Sequence, residues 1–139
     1  MKNRHTLVAA LAAFAALPRF AAADALDTSA FDKHVTFTVS ADWEGGALEN
    51  FPVLVRLSDV AGFTLADFST PADELRFADS EGTNLDYEID TWDAASSTAL
   101  VWVSLPAFDA GATITAYWAP TDASALPAVS PAAVWTKAD

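Results

Sequence analysis

Three carboxylates at every second position are the side chains of this sequence best placed to do chemistry. Asp86, Glu88 and Asp90 alternate with the apolar residues of Leu85–Ile89, which is the pattern of a half-buried β-strand. On one face of a strand, side chains two residues apart are separated by about 6.5–7 Å. At that spacing carboxylates repel one another unless a cation or water lies between them. The sequence therefore predicts an acidic row on one face of a sheet.

Two interpretations of this row stay open. In the first, it binds Ca²⁺, a cation that takes oxygen ligands, with further ligands from the preceding turn. The candidate turn ligands are Asp79, Glu81 and Asn84. In the second, the row is a solvated face on which Arg76 pairs with Glu88 or Asp86 across a hairpin. We predict an Arg76–Glu88 ion pair that fixes the hairpin register, and no cofactor, with Ca²⁺ as the open alternative.

Aromatic side chains suggest a second kind of site. Carbohydrate-binding sandwiches use exposed Trp and Tyr as platforms for sugar rings, beside carboxylates that bind hydroxyl groups. Trp92 shares its predicted face with the acidic row, and Trp43 lies in a loop with Gly45 and Gly46. These two residues, with the acidic row, form the candidate glycan site. Trp102 and Trp118 lie in strongly apolar strands and are expected in the core.

Catalysis has little support in the sequence. The chain has no cysteine, and His34 is the single histidine after the first two dozen residues. A thiolate nucleophile and a histidine-rich metal site are therefore excluded, and a Ser-His-Asp site is disfavoured. Paired acids of the glycosidase type need one carboxyl group with a raised pKa, which no motif here marks. We expect a protein that is not an enzyme.

Residues 1–23 have the composition of a secretory signal peptide. Lys2 and Arg4 precede the apolar run Leu7–Leu17, and the small residues Ala21–Ala23 follow. Cleavage there leaves 4 Lys and Arg against 19 Asp and Glu, a net charge of −15. Such a surface disfavours nucleic acid and anionic lipid as partners. We expect export to the periplasm, cell surface or medium, with no membrane insertion of the mature chain.

The remaining sequence predicts an all-β fold, an antiparallel β-sandwich of the jelly-roll-like kind, over residues 33–119. A flexible lead-in is expected at 24–32, and a Pro/Ala-rich linker at 120–139, after which the chain would continue in the full-length protein. One helical turn is expected near Leu65–Phe68. The predicted strands are His34–Ser40, Phe51–Leu57, Leu75–Ala78, Leu85–Trp92, Ala99–Leu105 and Thr113–Ala119. The third and fourth of these are predicted to form a hairpin.

The order of these pieces resembles a bacterial family known as domain of unknown function 2341. The similar segments are Asn50–Val55, Asp73–Trp92, Val101–Pro106 and Tyr117–Trp118. The central one carries the pattern Asp-x-x-Arg-Phe-x-Asp-x-x-Gly-x-x-Leu-x-Tyr-Glu-Ile-x-x-Trp. Ala119 stands where the family pattern has glycine.

The resemblance implies an exported module, often followed by a lectin-like sandwich of the laminin-G or concanavalin type. Some relatives lie in the outer part of proton-channel proteins of the biopolymer-transport type. Ala133–Asp139 is similar to the lead-in to the second sandwich, and the family brings no catalytic residues. We therefore expect a non-catalytic module that binds glycan or polysaccharide, or mediates adhesion, within a multidomain surface protein. The alternative is a structural spacer that packs against an adjacent lectin-like domain.

Overall fold

The computed structural model describes residues 25–136. The predicted signal peptide, residues 1–23, lies outside the described residues, and so does the last part of the predicted linker, 137–139.

Two antiparallel three-stranded sheets form the body of the described chain. The first sheet has the order β1-β6-β3 and the second β2-β5-β4. The strands are β1 Phe31–Thr38, β2 Leu48–Arg56, β3 Arg76–Ala78, β4 Tyr87–Asp93, β5 Thr98–Phe108 and β6 Thr113–Pro120. The predicted all-β antiparallel sandwich is thus confirmed. Within residues 25–136 there are six strands, two fewer than the eight of a jelly roll.

Helical structure within residues 25–136 is limited to single turns. Two short α-helices are α1, Pro71–Glu74, and α2, Ala133–Thr136. Four 3-10 turns lie at Thr28–Ala30, Leu57–Asp59, Leu65–Asp67 and Ala123–Ala125. The turn at Leu65–Asp67 confirms the expected helical turn in the connection between β2 and β3.

The core lies between the sheets, where the two central strands contribute their alternate residues. On β5 these are Ala99, Val101 and Val103, each fully buried, and on β6 they include Ile114 and Trp118. Alternation of this kind places every second side chain against the opposite sheet. Trp118 is a core residue, as predicted from its strand. Trp102 lies on the outer face of β5 and is only half-buried, so its predicted core position is wrong.

The predicted hairpin is also wrong, because β3 and β4 belong to different sheets. β3 pairs with β6, and β4 pairs with β5. The two arms of the connection meet only next to the turn, at the isolated bridge Ala78–Asn84 and through bonds from the Leu85 N–H to the Phe77 carbonyl (2.9 Å) and from the Asp79 N–H to the Thr83 carbonyl (3.3 Å). Residues 79–86 therefore connect the two sheets at one side of the sandwich. We call this side the closed edge, and the opposite side, where β1 and β2 lie, the open edge.

A β-bulge at Asp90 changes which face the second half of β4 presents. Ile89 pairs with Val101 and Thr91 with Leu100, so Asp90 is an extra residue without its own partner position. Beyond the bulge Trp92 pairs with Ala99, a fully buried residue. Trp92 therefore turns inward, and its predicted place on the acidic face is wrong because the prediction assumed an unbroken alternation.

Both flanking segments are ordered against the sandwich. The predicted lead-in pairs Ala25 with Thr83, and Leu26 is buried and donates its N–H to the Gly82 carbonyl (2.8 Å). At the other end, Leu126 packs against the buried cluster that contains Leu26, and Val134 is fully buried. Composition suggested connecting segments at both places. The structured unit instead extends over the described residues on either side of 33–119.

Candidate functional site

The acidic face of β4 holds the chain's own C-terminal segment, residues 127–136. The first two contacts come from residues before β4. The Arg76 Nε donates to the Pro127 carbonyl (2.9 Å), and the Asn84 side-chain amide donates to the Ala128 carbonyl (3.2 Å). These contacts bring the C-terminal segment across the closed edge.

Two carboxylates of the acidic row make the next contacts. An Asp86 carboxylate oxygen accepts a hydrogen bond from the Ser130 backbone N–H (2.9 Å). The Glu88 carboxylate accepts one from the Trp135 indole N–H. Hydrogen bonds to ionised acceptors are the stronger kind, so each carboxylate is an effective anchor. The acceptors and donors follow the same order along both stretches of chain, which gives the C-terminal segment one path over β4.

Asp90, the third carboxylate of the row, lies next to a side chain of the neighbouring strand β5. One of its carboxylate oxygens lies 3.4 Å from the Trp102 indole nitrogen, and the other accepts from the Thr91 hydroxyl (2.9 Å). The Trp102 ring in turn meets the Trp135 ring edge-on, with centroids 5.4 Å apart. Each carboxylate of the row therefore faces a protein N–H donor.

Apolar contacts complete the attachment. Val134 on α2 is fully buried, and α2 lies against β5, β4 and β2 of the second sheet. Trp135 keeps 45% of its surface exposed while its ring contacts Trp102. Val129 packs against the main core cluster. The C-terminal segment covers part of the outer face of the second sheet with both polar and apolar contacts.

Arg76 is buried at the closed edge and bonds to backbone carbonyls. Besides Pro127, it donates to the carbonyls of Leu75 (2.6 Å) and Ala72 (3.0 Å). The Tyr87 hydroxyl donates to the same two carbonyls, at 2.7 Å and 3.1 Å. The predicted Arg76–Glu88 ion pair is absent from the described residues. The two side chains lie on strands of different sheets, and each bonds to the C-terminal segment instead.

Burial of Tyr87 has an electrostatic consequence. Its side chain is removed from water between the sheets, where its ring lies 5.2 Å from that of Phe77. Desolvation of the phenolate raises the pKa of Tyr87 to about 12, although the nearby Arg76 charge opposes the shift. Tyr87 thus remains a neutral donor to its two carbonyls throughout the physiological range.

The candidate calcium ligands are distributed over separate contacts. Asp79 accepts from the backbone N–H groups of Glu81 and Thr83 (both 3.0 Å), which is a turn-stabilising arrangement. Asn84 bonds to Ala128, as described above. Among residues 25–136, no three Asp, Glu or His side chains are grouped closely enough to hold a metal ion. The structure thus gives the acidic row a role as hydrogen-bond acceptors.

The two candidate sugar platforms are both half-buried and lie far apart in the fold. The Trp43 indole N–H donates to the Gly46 carbonyl (2.9 Å), and its ring meets Phe108 edge-on at 5.1 Å. Trp92 packs against Phe68 and Phe63, at 4.9 and 6.0 Å. Trp43 lies at the open edge, whereas Trp92 follows the bulge in β4. The structure does not bring them together as one surface.

One family model matches the chain. The match covers residues 72–138, which run from α1 through β3–β6 to the C-terminal segment. The matching model is that of the domain of unknown function DUF2341. The family resemblance is therefore confirmed over these residues. Asn50–Val55, another similar segment, lies outside the match. Because the DUF2341 match extends to 138, it includes the residues that composition alone assigned to a linker.

No curated protein and no solved structure matches this chain. Within the part of the chain that the structure describes, no helix combines the length and apolar character needed to cross a membrane.

Sequence reasoning missed the C-terminal segment as the partner of the acidic row. The signal that could have found it is the pair Val134-Trp135, which is large and apolar in a stretch otherwise rich in Pro, Ala and Ser. An isolated pair of this kind in such a stretch indicates an anchor to a neighbouring surface.

Proposed function

We propose that this domain is a non-catalytic structural module that holds its C-terminal segment on a fixed path and so positions whatever domain follows it. The observation that carries the proposal is the ordered set of contacts from Arg76, Asn84, Asp86 and Glu88 to residues 127–136. A linker with no such contacts would leave its neighbours free to reorient. A segment tied at four points, with Val134 buried, transmits the orientation of the sandwich to the chain beyond it.

The adjacent domain in this proposal is the lectin-like sandwich that the family resemblance implies. The exposed part of Trp135 supports this idea, because it leaves an aromatic surface beside the point where such a domain would begin. Tryptophan is enriched among the residues that dominate protein interfaces.

Glycan binding remains a prediction. It rested on Trp43 and Trp92 beside the acidic row. The geometry supports glycan binding less than it supports the structural module. Both rings are half-buried, and Asp86 and Glu88 already accept hydrogen bonds from the C-terminal segment. A glycan array in which binding disappears with Trp43→Ala would restore glycan binding as the leading function.

Export and the lack of catalysis belong to the same proposal. The basic and apolar pattern of residues 1–23 and the acidic composition support an exported protein. The use of the acidic row as anchors supports a non-enzymatic role.

Spin labels test whether the C-terminal segment has one path. The chain contains no cysteine, so Ala110→Cys and Ala132→Cys introduce unique labels at two exposed positions. We expect pulsed electron paramagnetic resonance to give one narrow distance distribution. Trp135→Ala and Val134→Asp remove an anchor and are expected to broaden it. Glu44→Gln, an exposed loop substitution, is the control and leaves it narrow.

A broad distribution in the parent labelled protein would contradict the proposal directly. The same labels, placed in a longer chain that includes the following domain, extend the test to the spacer role. There the label at Ala110 is paired with one on the following domain, and the Trp135→Ala variant is expected to broaden that distance as well.

A further inference from the structure

The open edge exposes core positions that the rest of the sandwich covers. Within residues 25–136, β1 pairs only with β6 and β2 only with β5, so each presents one unpaired strand edge. The inward residues Phe37 and Val53 are half-buried, whereas Ile114 and Val103 on the central strands are buried. The core therefore continues to a side of the molecule where, among residues 25–136, no strand pairs with the free edge of β1 or of β2.

A groove of ≈ 700 Å³ lies between these two strands. Its floor is apolar and is formed from both sheets by Phe37, Val53, Phe108 and Ile114. Trp43 also lines the groove, with its ring fixed by Gly46 and Phe108. The size and the apolar lining are those of ligand-binding clefts.

The charges at the groove are mostly negative. Asp42 and Asp59 line it together with one cation, Arg56, and all three side chains are exposed. The chain as a whole carries a formal charge of −12. Such a field attracts cationic partners and disfavours anionic ones.

We propose that the open edge binds an extended peptide segment of a partner protein, one that alternates apolar with basic residues, by adding it as a strand to β1. Strand addition pairs the peptide backbone with an exposed sheet edge and places alternate side chains in pockets. β1 is the suitable edge because it has no proline, whereas β2 carries Pro52, which lacks an N–H donor. The apolar side chains of the peptide enter the groove. Its basic side chains point to the opposite face of the added strand and lie in the negative field to which the exposed Asp42 and Asp59 contribute.

A synthetic peptide tests the proposal. The probe is a capped eight-residue peptide, the length of β1, that alternates valine with lysine. We expect saturable binding to the full chain, with amide shift changes in nitrogen-15 NMR confined to β1, the loop around Trp43 and β2. A peptide that alternates valine with glutamate is expected to bind about tenfold more weakly or worse. A peptide with four valines followed by four lysines is expected to do the same, because it lacks the two-residue period.

Variants locate the site. Val53→Lys places a cation in the groove and is expected to abolish binding of the valine-lysine peptide. If Val53→Lys does not fold, the exposed double substitution Asp42→Asn with Asp59→Asn is expected to weaken binding about tenfold. Asp73→Asn with Glu81→Gln makes the same charge change away from the groove and is expected to leave the affinity within about twofold.

Three results of the peptide titrations would overturn the proposal. They are equal binding of the lysine and glutamate peptides, shift changes centred on β4 and the C-terminal segment, and no saturable binding at all. Sedimentation that shows a dimer displaced by the peptide would identify a second copy of this chain as the occupant, which also overturns it.

Discussion

The closed and open edges are the two sides of the same pair of sheets, and they differ in how the chain covers them. At the closed edge, residues 79–86 join the sheets and Arg76 and Tyr87 bond to backbone carbonyls, while residues 127–136 lie across β4. At the open edge, Phe37 and Val53 of the facing strands line a groove of ≈ 700 Å³. The difference teaches that stability and recognition are located on opposite sides of this domain. The closed edge is where substitutions should cost most, and the open edge is where they should be tolerated.

Substitution of one arginine at each edge gives the largest expected contrast. Arg76→Ala removes a buried guanidinium that donates to the carbonyls of Ala72, Leu75 and Pro127. We expect a loss of about 3 kcal/mol in the free energy of unfolding, since charged donors to buried acceptors are worth more than neutral ones. Arg56→Ala, exposed on β2, is the matched control and should change it by less than about 0.5 kcal/mol. Urea denaturation measures the free energy of unfolding of both variants. Equal losses would contradict the expected difference between the two edges.

Tyr87 gives the closed edge a dependence on alkaline pH. Its folded-state pKa is raised to about 12 from the ordinary 10.0, mainly by burial. The unfolded chain ionises first, so the stability is fully present below pH 10 and is lost as the pH rises toward 12. The shift corresponds to about 3 kcal/mol.

Tyr87→Phe should lower stability at neutral pH by about 1 kcal/mol, because it removes the hydroxyl donor, and should flatten the decline between pH 10 and 12. Denaturant midpoints measured at several pH values check this. An unchanged alkaline decline would assign it to groups other than Tyr87. Tyr117, which lies on the central strand β6 in contact with Phe31 and His34, provides the control as Tyr117→Phe.

The same valine substitution at both edges sharpens the contrast further. Val134 is fully buried, whereas Val53 is half-buried in the groove wall. Val134→Ala should lower the free energy of unfolding by about 2 kcal/mol, and Val53→Ala by about 1 kcal/mol or less. The loss is smaller for Val53 because less of its apolar surface is buried in the folded protein. Thermal unfolding of the two variants measures the difference. Equal losses would mean that the groove residues are packed as tightly as the C-terminal segment.

Strand positions were predictable because alternation fixes an element and its buried face. His34–Ser40, Phe51–Leu57, Ala99–Leu105 and Thr113–Ala119 all overlap observed strands. Alternation does not specify which strand becomes the neighbour, so the hairpin of β3 and β4 was wrong. β3 pairs instead with β6, which lies far along the chain, and β4 pairs with the next strand, β5.

The candidate site was predictable in its residues and not in its partners. The acidic row was identified from the sequence. Its partners were not, because a carboxylate can bind a metal ion, an arginine or an N–H group, and the residue type alone does not distinguish among these. The choice depended on residues 127–136, whose composition predicts a linker. Likewise, Ala119 adopts a left-handed backbone conformation with φ 55° at the position where the family pattern has glycine. The local backbone requirement is thus met here by a residue that carries a Cβ.

The extra residue at Asp90 lets the two halves of β4 contact two different parts of the molecule. Before it, β4 gives its polar side chains to the C-terminal segment, and after it Trp92 joins the aromatic group of Phe63 and Phe68. If Asp90 instead took a regular place opposite Leu100, every later side chain of β4 would move to the opposite side, sending Trp92 into solvent and Thr91 into the aromatic group. A single residue held out of the ladder thus decides which side the second half of the strand presents, and its deletion would leave Thr91 opposite Leu100 and Trp92 opposite Ala99.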